Sequence, residues 1–284
     1  ILNQLGDSPT MFGFQPVPIH VSQQIDELLR SMDAPVCPNV AKYEARAMQE
    51  EEFKKVNEKY KDNFLKPLKE NWGINDELNF FTAKGYSDTY YAAMFNKSAI
   101  DAKYKLDESM LNELIADQFY YVTFFYDEMI RLATTKAFNY LYTLFDSKIE
   151  SIKTGKDDGT GIKDRKLIYF SAHDSTVAAF MSGIEQKQKL QPYYAIPILI
   201  QLWKKAGTDG KDPANYYVKW LYNGKTVNLN GTCEGTSDFK CAYPNFKSFL
   251  QYREYKGDWY SGCFLDIESS YMGKWYIVVG IAAG

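Results

Sequence analysis

The dipeptide His173-Asp174 combines an imidazole with a carboxyl group, a pair that can bind an anion and transfer a proton. It follows Leu167 to Phe170, an apolar and aromatic run that predicts a buried strand. A helix signal comes next, with Asp174 or Ser175 placed to cap the first turn. Because the N-terminus of a helix presents free N–H groups and partial positive charge, this junction favours an anion such as phosphate.

A plainer interpretation is that His173 and Asp174 only cap the helix. A His-Asp dipeptide alone is weak evidence, and the chain has 2 histidines in all. The position between a strand and a helix strengthens the functional interpretation, because ligands of α/β sheets bind where strands end.

Composition limits the class of protein. The chain has 284 residues, 45% of them hydrophobic, which is typical of one large or two small globular domains. The net charge of −3 and the isoelectric point near 5.6 leave no basic surface, which argues against nucleic acid as a partner.

The 4 cysteines do not have the spacing of a metal site, since no Cys-x2-Cys pair occurs and no histidine lies near them. Cys233 and Cys241 flank a polar segment that a disulfide could close. Two glycosylation sequons, at Asn96 and Asn230, agree with an oxidising compartment. We therefore expect a protein of the secretory pathway.

The chain divides into a helical first half and an α/β second half. A helix is predicted from Ser22 to before Pro35, an exposed charged helix over 39–60, and a long helical region over 107–150. An apolar stripe in that last region is interpreted as part of the hydrophobic core and not as a cofactor site. It comprises Leu111, Ile115, Phe119, Val122, Tyr126 and Met129. A polar, Gly-rich connector over 153–165 separates the halves.

In the second half, strands are predicted over 196–203 and 216–222. Asn223-Gly224 is a hairpin signal, with a returning strand over 225–229. A short helix is predicted over 244–252.

The last ten residues, 275–284, are uncharged and half the length of a membrane span. A buried terminal strand is one interpretation. We favour the start of a membrane anchor, because Lys274, Trp275 and Tyr276 resemble the interfacial edge of a span.

Four segments together resemble the histidine acid phosphatases of the prostatic and lysosomal type. The stretch 166–177, with Ser-Ala-His-Asp, is similar to the family's second signature. Supporting likenesses are Gln-Pro-Val-Pro-Ile-His at 15–20, Cys37-Pro38 with the charged helix after it, and the pattern of Cys233, Cys241 and Gly-Asp-Trp-Tyr-Ser-Gly-Cys at 257–263. The resemblance extends over most of 15–263.

The resemblance implies an α/β fold with a histidine phosphatase-type sheet core, helices on both of its faces and a helical cap domain. On this basis 1–21 would be an extended segment of the core, 22–152 the cap, 166–264 the core with the His-Asp motif, and 275–284 the start of an anchor. It also implies disulfides Cys37–Cys263 and Cys233–Cys241, and neither a cofactor nor a metal.

For function, the resemblance implies hydrolysis of small phosphomonoesters through a phosphohistidine. His173 matches the second phosphate-binding histidine, and Asp174 matches the general acid that protonates the leaving alkoxide. The implied location is the lysosomal or vacuolar lumen or the extracellular space, with or without a membrane anchor. A homodimer is one candidate assembly, which the residues do not decide.

The family's nucleophile lies in an Arg-His-Gly-x-Arg-x-Pro motif, which this sequence does not contain. Its other histidine, His20, lies in a Pro-rich segment without a neighbouring arginine, so a locally hydrogen-bonded histidine is the better interpretation. The chain is similar to about the C-terminal two-thirds of the family domain. We expect it to be inactive alone and to fold poorly, with apolar positions exposed where the first strands would pack.

Two hypotheses follow. The chain is either part of a lumenal or secreted acid phosphatase, or a catalytically inactive, phosphatase-like module that serves binding or structure. An upstream Arg-His-Gly segment in the full gene would distinguish them.

Overall fold

The computed structural model describes residues 24–97, 100–229, 233 and 240–265. The predictions for 15–20 with His20, for Asn230 and for the apolar end 275–284 lie outside these residues. Among the described residues, no helix is both long and apolar enough to cross a membrane.

The first part of the chain is helical. Its helices are α1 (Gln24–Leu29), α2 (Asn39–Ala47), α3 (Glu51–Tyr60), α4 (Lys66–Trp72), α5 (Lys84–Phe95), α6 (Glu108–Gln118) and α7 (Asp127–Thr154). π-helical turns at Lys61–Leu65 and Phe119–Thr123 join α3 to α4 and follow α6.

The second part contains α8 (Asp174–Gly183), the strands β1 (Ile198–Lys204), β2 (Tyr216–Tyr222), β3 (Lys225–Thr226) and β4 (Cys241–Ala242), and the helices α9 (Tyr243–Arg253) and α10 (Trp259–Phe264). Short 3-10 turns lie at Ala102–Tyr104 and Pro213–Asn215. The described fold is helix-rich with a small antiparallel sheet, which is consistent with an α/β arrangement.

The region 39–60 differs from its prediction as a single exposed helix. It forms two helices, α2 and α3, and one face of each is buried through Val40, Tyr43, Ala47, Phe53 and Tyr60. These few apolar residues recur at intervals of three, four and seven, which places them on one side of a helix. A thin apolar stripe is therefore enough to bring this charged segment into the core.

The region 107–150 is helical and buried as predicted, although it is interrupted. Asp107 caps α6 by accepting a hydrogen bond from the Met110 N–H at 3.0 Å. The helix passes into the π-helical turn and breaks before α7, because Tyr126 is extended, with φ −88° and ψ 133°. Leu111, Ile115 and Met129 are buried in the core, which confirms the interpretation of the stripe.

Two apolar clusters lie on either side of α7 and α8. The first packs α2 to α6 against the start of α7 and includes Ala178 and Ala179 of α8. The second contains Phe138 of α7, Met181 of α8, Trp220 of β2 and Phe246 of α9. Because α7 and α8 contribute to both clusters, they join the helical part to the sheet.

The predicted hairpin turn at Asn223-Gly224 is confirmed, and it joins β2 to β3. β1 and β2 pair antiparallel, with Ile198 opposite Tyr222 and Lys204 opposite Tyr216. Asn223 and Gly224 both have positive φ, 48° and 75°, the geometry that a tight two-residue hairpin requires. The returning strand β3 is shorter than predicted, because its pairing with β2 covers only Lys225 and Thr226.

Helix α9 covers one face of the sheet, where Tyr216, Val218 and Trp220 are buried. On the other face Leu199 and Trp203 are 40% and 45% exposed. Alternate residues of a strand face opposite sides of a sheet, so the sheet is packed on one side only among the described residues.

The predicted buried strand Leu167–Phe170 is wrong. The segment has no regular secondary structure, and Leu167 and Tyr169 are 77% and 80% exposed. An apolar, aromatic run has the composition of a strand, but its N–H and C=O groups need a neighbouring strand. No described strand pairs with it.

Both disulfides that the resemblance implied are present. Cys37 at the start of α2 is bonded to Cys263 in α10, and Cys233 is bonded to Cys241 in β4. The first joins segments that are 226 residues apart, and the second closes a loop of 8.

Arg253, which is 4% exposed, connects three elements. Its Nε donates to the Gly183 carbonyl at 2.9 Å, and its terminal nitrogens donate to Glu185 at 3.0 Å and Asp127 at 2.7 Å. Arg131 and Arg253 lower the pKa of the Asp127 carboxyl, although its partial burial acts in the opposite direction.

We expect Arg253→Met to reduce the free energy of unfolding by about 2 kcal/mol, because the Gly183 carbonyl and Glu185 lose their donor and Asp127 keeps only Arg131. Chemical denaturation measures this change. Arg165→Met, at an exposed arginine, is the control and should change stability by less than about 0.5 kcal/mol. Equal effects of the two substitutions would contradict the role of Arg253.

Candidate active site at the start of α8

Helix α8 begins one residue earlier than its predicted caps. His173, with φ −104° and ψ 166°, is the capping position, and Asp174 is the first helical residue. The hydroxyl of Thr176 accepts the His173 N–H at 3.3 Å and donates to the Leu29 carbonyl at 2.6 Å. The start of α8 is therefore held against the end of α1.

Asp174 is half-buried, and its two carboxylate oxygens have different partners. Oδ1 accepts the N–H of Ser175 at 2.7 Å, and Oδ2 accepts the side-chain amide of Gln191 at 3.2 Å. Gln191 is itself held by its backbone N–H, which donates to the Asn112 carbonyl at 3.1 Å. The orientation of the carboxyl group is thus set by the loop after α8 and by α6.

His173 is exposed, in contrast to its neighbour. Its imidazole lies at the N-terminus of a ten-residue helix, whose first N–H groups and dipole favour a bound anion. The start of α8 therefore presents a solvent-accessible imidazole beside an oriented carboxyl group.

Asp88 of α5 is a second carboxyl group, and it interacts electrostatically with Asp174. Burial of part of its surface raises the pKa of Asp88; Lys84 lowers it and the charge of Asp174 raises it. No motif marks Asp88 in the sequence, because its place depends on how α5 packs near α8. It is a carboxyl group near the start of α8 that reasoning from the sequence did not identify.

We expect Asp88→Asn to stabilise the protein at pH 7 and to have little effect near pH 3. The raised pKa means that folding favours the protonated acid, so the wild type loses stability as pH rises through that pKa. Urea unfolding of both proteins at the two pH values measures the difference. A stabilisation seen only at the acidic pH would contradict the assigned direction.

A cavity of about 340 Å³ lies on the helical side of this site. Its wall includes Arg30, which follows Leu29 in the chain, and Lys84, one helical turn before Asp88. Glu44, Gln118 and Thr123 line it from α2, α6 and the π-helical turn. Leu29, which precedes Arg30, accepts the Thr176 hydroxyl of α8 with its carbonyl, so this wall of the cavity is connected to the start of α8.

The remaining predicted residues lie apart from this site or outside the described residues. Asn96 is exposed at the C-terminal end of α5. One disulfide joins Cys37, just before α2, to Cys263 in α10, and the other joins Cys233 to Cys241 in β4; His20 and Asn230 are not described. The structure thus brings His173 and Asp174 together with Gln191, and places Asp88 near enough to Asp174 for their charges to interact.

No model of a known protein family matches the chain. Individual curated proteins are similar to the chain. Rat prostatic acid phosphatase is 26% identical over 221 residues, which cover 76% of this chain and 52% of the relative. Lysosomal acid phosphatase of Xenopus laevis is 25% identical over 246 residues, covering 84% and 52%. Human prostatic acid phosphatase is 26% identical over 225 residues, covering 75% and 51%.

The curated homologues of the chain are thus prostatic and lysosomal acid phosphatases, which supports a histidine acid phosphatase-like family. The chain spans about half the length of these relatives.

Proposed function

We propose that the chain is part of an acid phosphatase that hydrolyses phosphomonoesters through a phosphohistidine. The main support is the pair His173-Asp174 at the start of α8, in a chain similar to acid phosphatases over three quarters or more of its length. The pair lies in the Ser-Ala-His-Asp stretch, which resembles the second signature of the family.

In this proposal, a nucleophilic imidazole attacks phosphorus in line with the leaving group, and the bond between phosphorus and the ester oxygen breaks. Asp174 donates its proton to that oxygen, so the product leaves as an alcohol. Water then attacks phosphorus in the phosphohistidine and gives its proton to the Asp174 carboxylate; the bond between phosphorus and the imidazole nitrogen breaks, which frees the imidazole, restores the acid and releases phosphate.

His173 binds the phosphoryl group in the same proposal. An imidazole N–H donates to an equatorial oxygen, where negative charge is present in the transition state. Its exposed position at the helix N-terminus supports this role, because the first N–H groups of α8 add further donors and partial positive charge.

The nucleophile is expected from an Arg-His-Gly motif, which is not in these 284 residues. We therefore propose that the 284-residue chain alone has no phosphatase activity. The protein encoded by the complete gene is the one to assay.

The same proposal places the protein in the secretory pathway or the lysosome. Two disulfides support an oxidising compartment, and the relatives are prostatic and lysosomal acid phosphatases.

The test is hydrolysis of p-nitrophenyl phosphate at acid pH by the full-length protein, beside His173→Ala and Asp174→Ala. We expect the wild type to release p-nitrophenol, His173→Ala to be strongly impaired, and Asp174→Ala to be impaired to a smaller extent because p-nitrophenolate leaves without much help from an acid. Full activity in both variants would overturn the site assignment, and an inactive wild type that is folded would favour the non-catalytic module.

A further inference from the structure

The cavity beside α8 contains a hydrogen-bond acceptor without a partner. Gln118 is 2% exposed, and its Nε2 donates to the carbonyls of Phe80 and Phe81. Its Oε1 is buried and has no hydrogen-bond partner within the described part of the chain. A buried acceptor without a partner is costly, so a donor that reached this oxygen from the cavity lined by Gln118 would be favoured.

Glu44 provides a second acceptor in the same wall. One of its carboxyl oxygens accepts the Thr123 hydroxyl at 2.7 Å, and burial raises the pKa of the group, against the lowering effects of Thr123 and Lys84. No ion pair within 4.0 Å involves Glu44 among the residues that are described. A carboxyl oxygen accepts an O–H donor in either charge state.

Lys84 and Arg30 add donors, and two rings add apolar surface. The ammonium of Lys84 lies 5.6 Å from the centre of the Phe119 ring, and Arg30 is held by Asp33 at 2.8 Å. Phe81 also lines the cavity. Acceptors, donors and ring surfaces around one volume match a ring that carries several hydroxyl groups, since each hydroxyl both donates and accepts.

We infer that this cavity binds the alcohol part of the substrate and selects a hydroxylated one, such as a sugar phosphate, over an apolar ester of similar size. The inference rests on the proposed function, which places the phosphoryl group at His173 and Asp174. A volume of about 340 Å³ is at the small end of ligand sites and is sufficient for one sugar ring.

The experiment compares glucose 6-phosphate with hexyl phosphate, which has the same number of carbons and no hydroxyl groups. Calorimetry measures binding of both to the full-length protein carrying Asp174→Asn, so that neither compound is turned over. We expect glucose 6-phosphate to bind at least about tenfold more tightly, because the apolar ester leaves Gln118 and Glu44 without donors.

Two further substitutions test whether the preference arises in this cavity. Glu44→Gln and Gln118→Met should each reduce the ratio of the two affinities about fivefold. Glu50→Gln is the matched control, because Glu50 also accepts a hydroxyl, that of Tyr126 at 2.5 Å, and does not line the cavity. It should leave the ratio unchanged.

Equal affinity for the two phosphates, or a preference that survives Glu44→Gln, would overturn the inference whether or not the enzyme is active. A preference that is lost in Glu44→Gln but not in Glu50→Gln supports it, and does so even if Gln118→Met fails to fold. Hydrolysis of p-nitrophenyl phosphate is measured separately, so an inactive protein would count against the proposed function and not against the binding preference.

Discussion

Asp174→Ala should lower kcat for an alkyl phosphate by about 10²- to 10⁴-fold, the usual contribution of a positioned general acid. A free alkoxide is a poor leaving group, so breaking its bond to phosphorus depends on a proton arriving at the ester oxygen. The carboxyl of Asp174 is oriented by Ser175 and Gln191, each of which donates to one of its oxygens. Steady-state kinetics of the full-length protein measures the change.

The choice of substrate separates a general acid from a helix cap. p-Nitrophenolate leaves readily without protonation, so the loss of kcat in Asp174→Ala should be much smaller for p-nitrophenyl phosphate than for an alkyl phosphate. Loss of a capping interaction would lower both activities to the same extent through stability alone. Equal losses for the two substrates would therefore contradict the assignment of Asp174 as the acid.

Asp258→Ala is the matched control. Asp258 precedes α10 and accepts the N–H of Ser261 at 2.7 Å, so it has the capping role without the neighbouring imidazole. Its replacement should destabilise the protein slightly and leave kcat unchanged for both substrates. A similar loss of kcat in this variant would indicate a general effect on folding.

Removing the Cys37–Cys263 disulfide with paired alanines should reduce the free energy of unfolding by about 4–5 kcal/mol. The bond joins positions 226 residues apart, and a crosslink over so long a stretch restricts the unfolded chain strongly. In the folded state, Asn39 still connects α2 to α10, because its amide donates to the carbonyls of Gly262 at 2.8 Å and Leu265 at 2.6 Å.

The second disulfide provides the comparison within the same protein. Cys233–Cys241 spans 8 residues, for which the chain-entropy relation gives a smaller effect of about 2–3 kcal/mol. Guanidinium unfolding of the two double-alanine variants measures the difference. A larger loss from the short loop than from the long one would contradict restriction of the unfolded chain as the main source of the stabilisation.

The elements predicted correctly are those whose signal is local. Asn223-Gly224 requires only that two neighbouring residues adopt positive φ, and β2 alternates buried and less buried residues between Tyr216 and Tyr222. The helical region over 107–150 is predicted from apolar spacings between Leu111 and Met129, which span a few turns. Such preferences act over a few residues, so they can be read before the partners are known.

The elements that differ depend on distant partners. Leu167 to Phe170 has the composition of a strand, yet no described strand pairs with it. The helices over 39–60 are charged, yet their few apolar residues are buried because the π-helical turn Phe119–Thr123 lies beside both helices and α10 lies beside α2. Whether a side chain is buried depends on its own segment and on the segment that packs against it. The local sequence contains only the first of these.

The sequence by itself determined the chemistry that is available: an imidazole beside a carboxyl group at a helix start, four cysteines, and a similarity to histidine acid phosphatases in the residues around them. Only the tertiary structure decided how those groups are placed. Gln191, Asp88 and the cavity containing Gln118 come from α5, α6 and the loop after α8, tens of residues away from the motif or on other helices. Side chains from separate segments meet only when those segments pack, and no local pattern records which of them will.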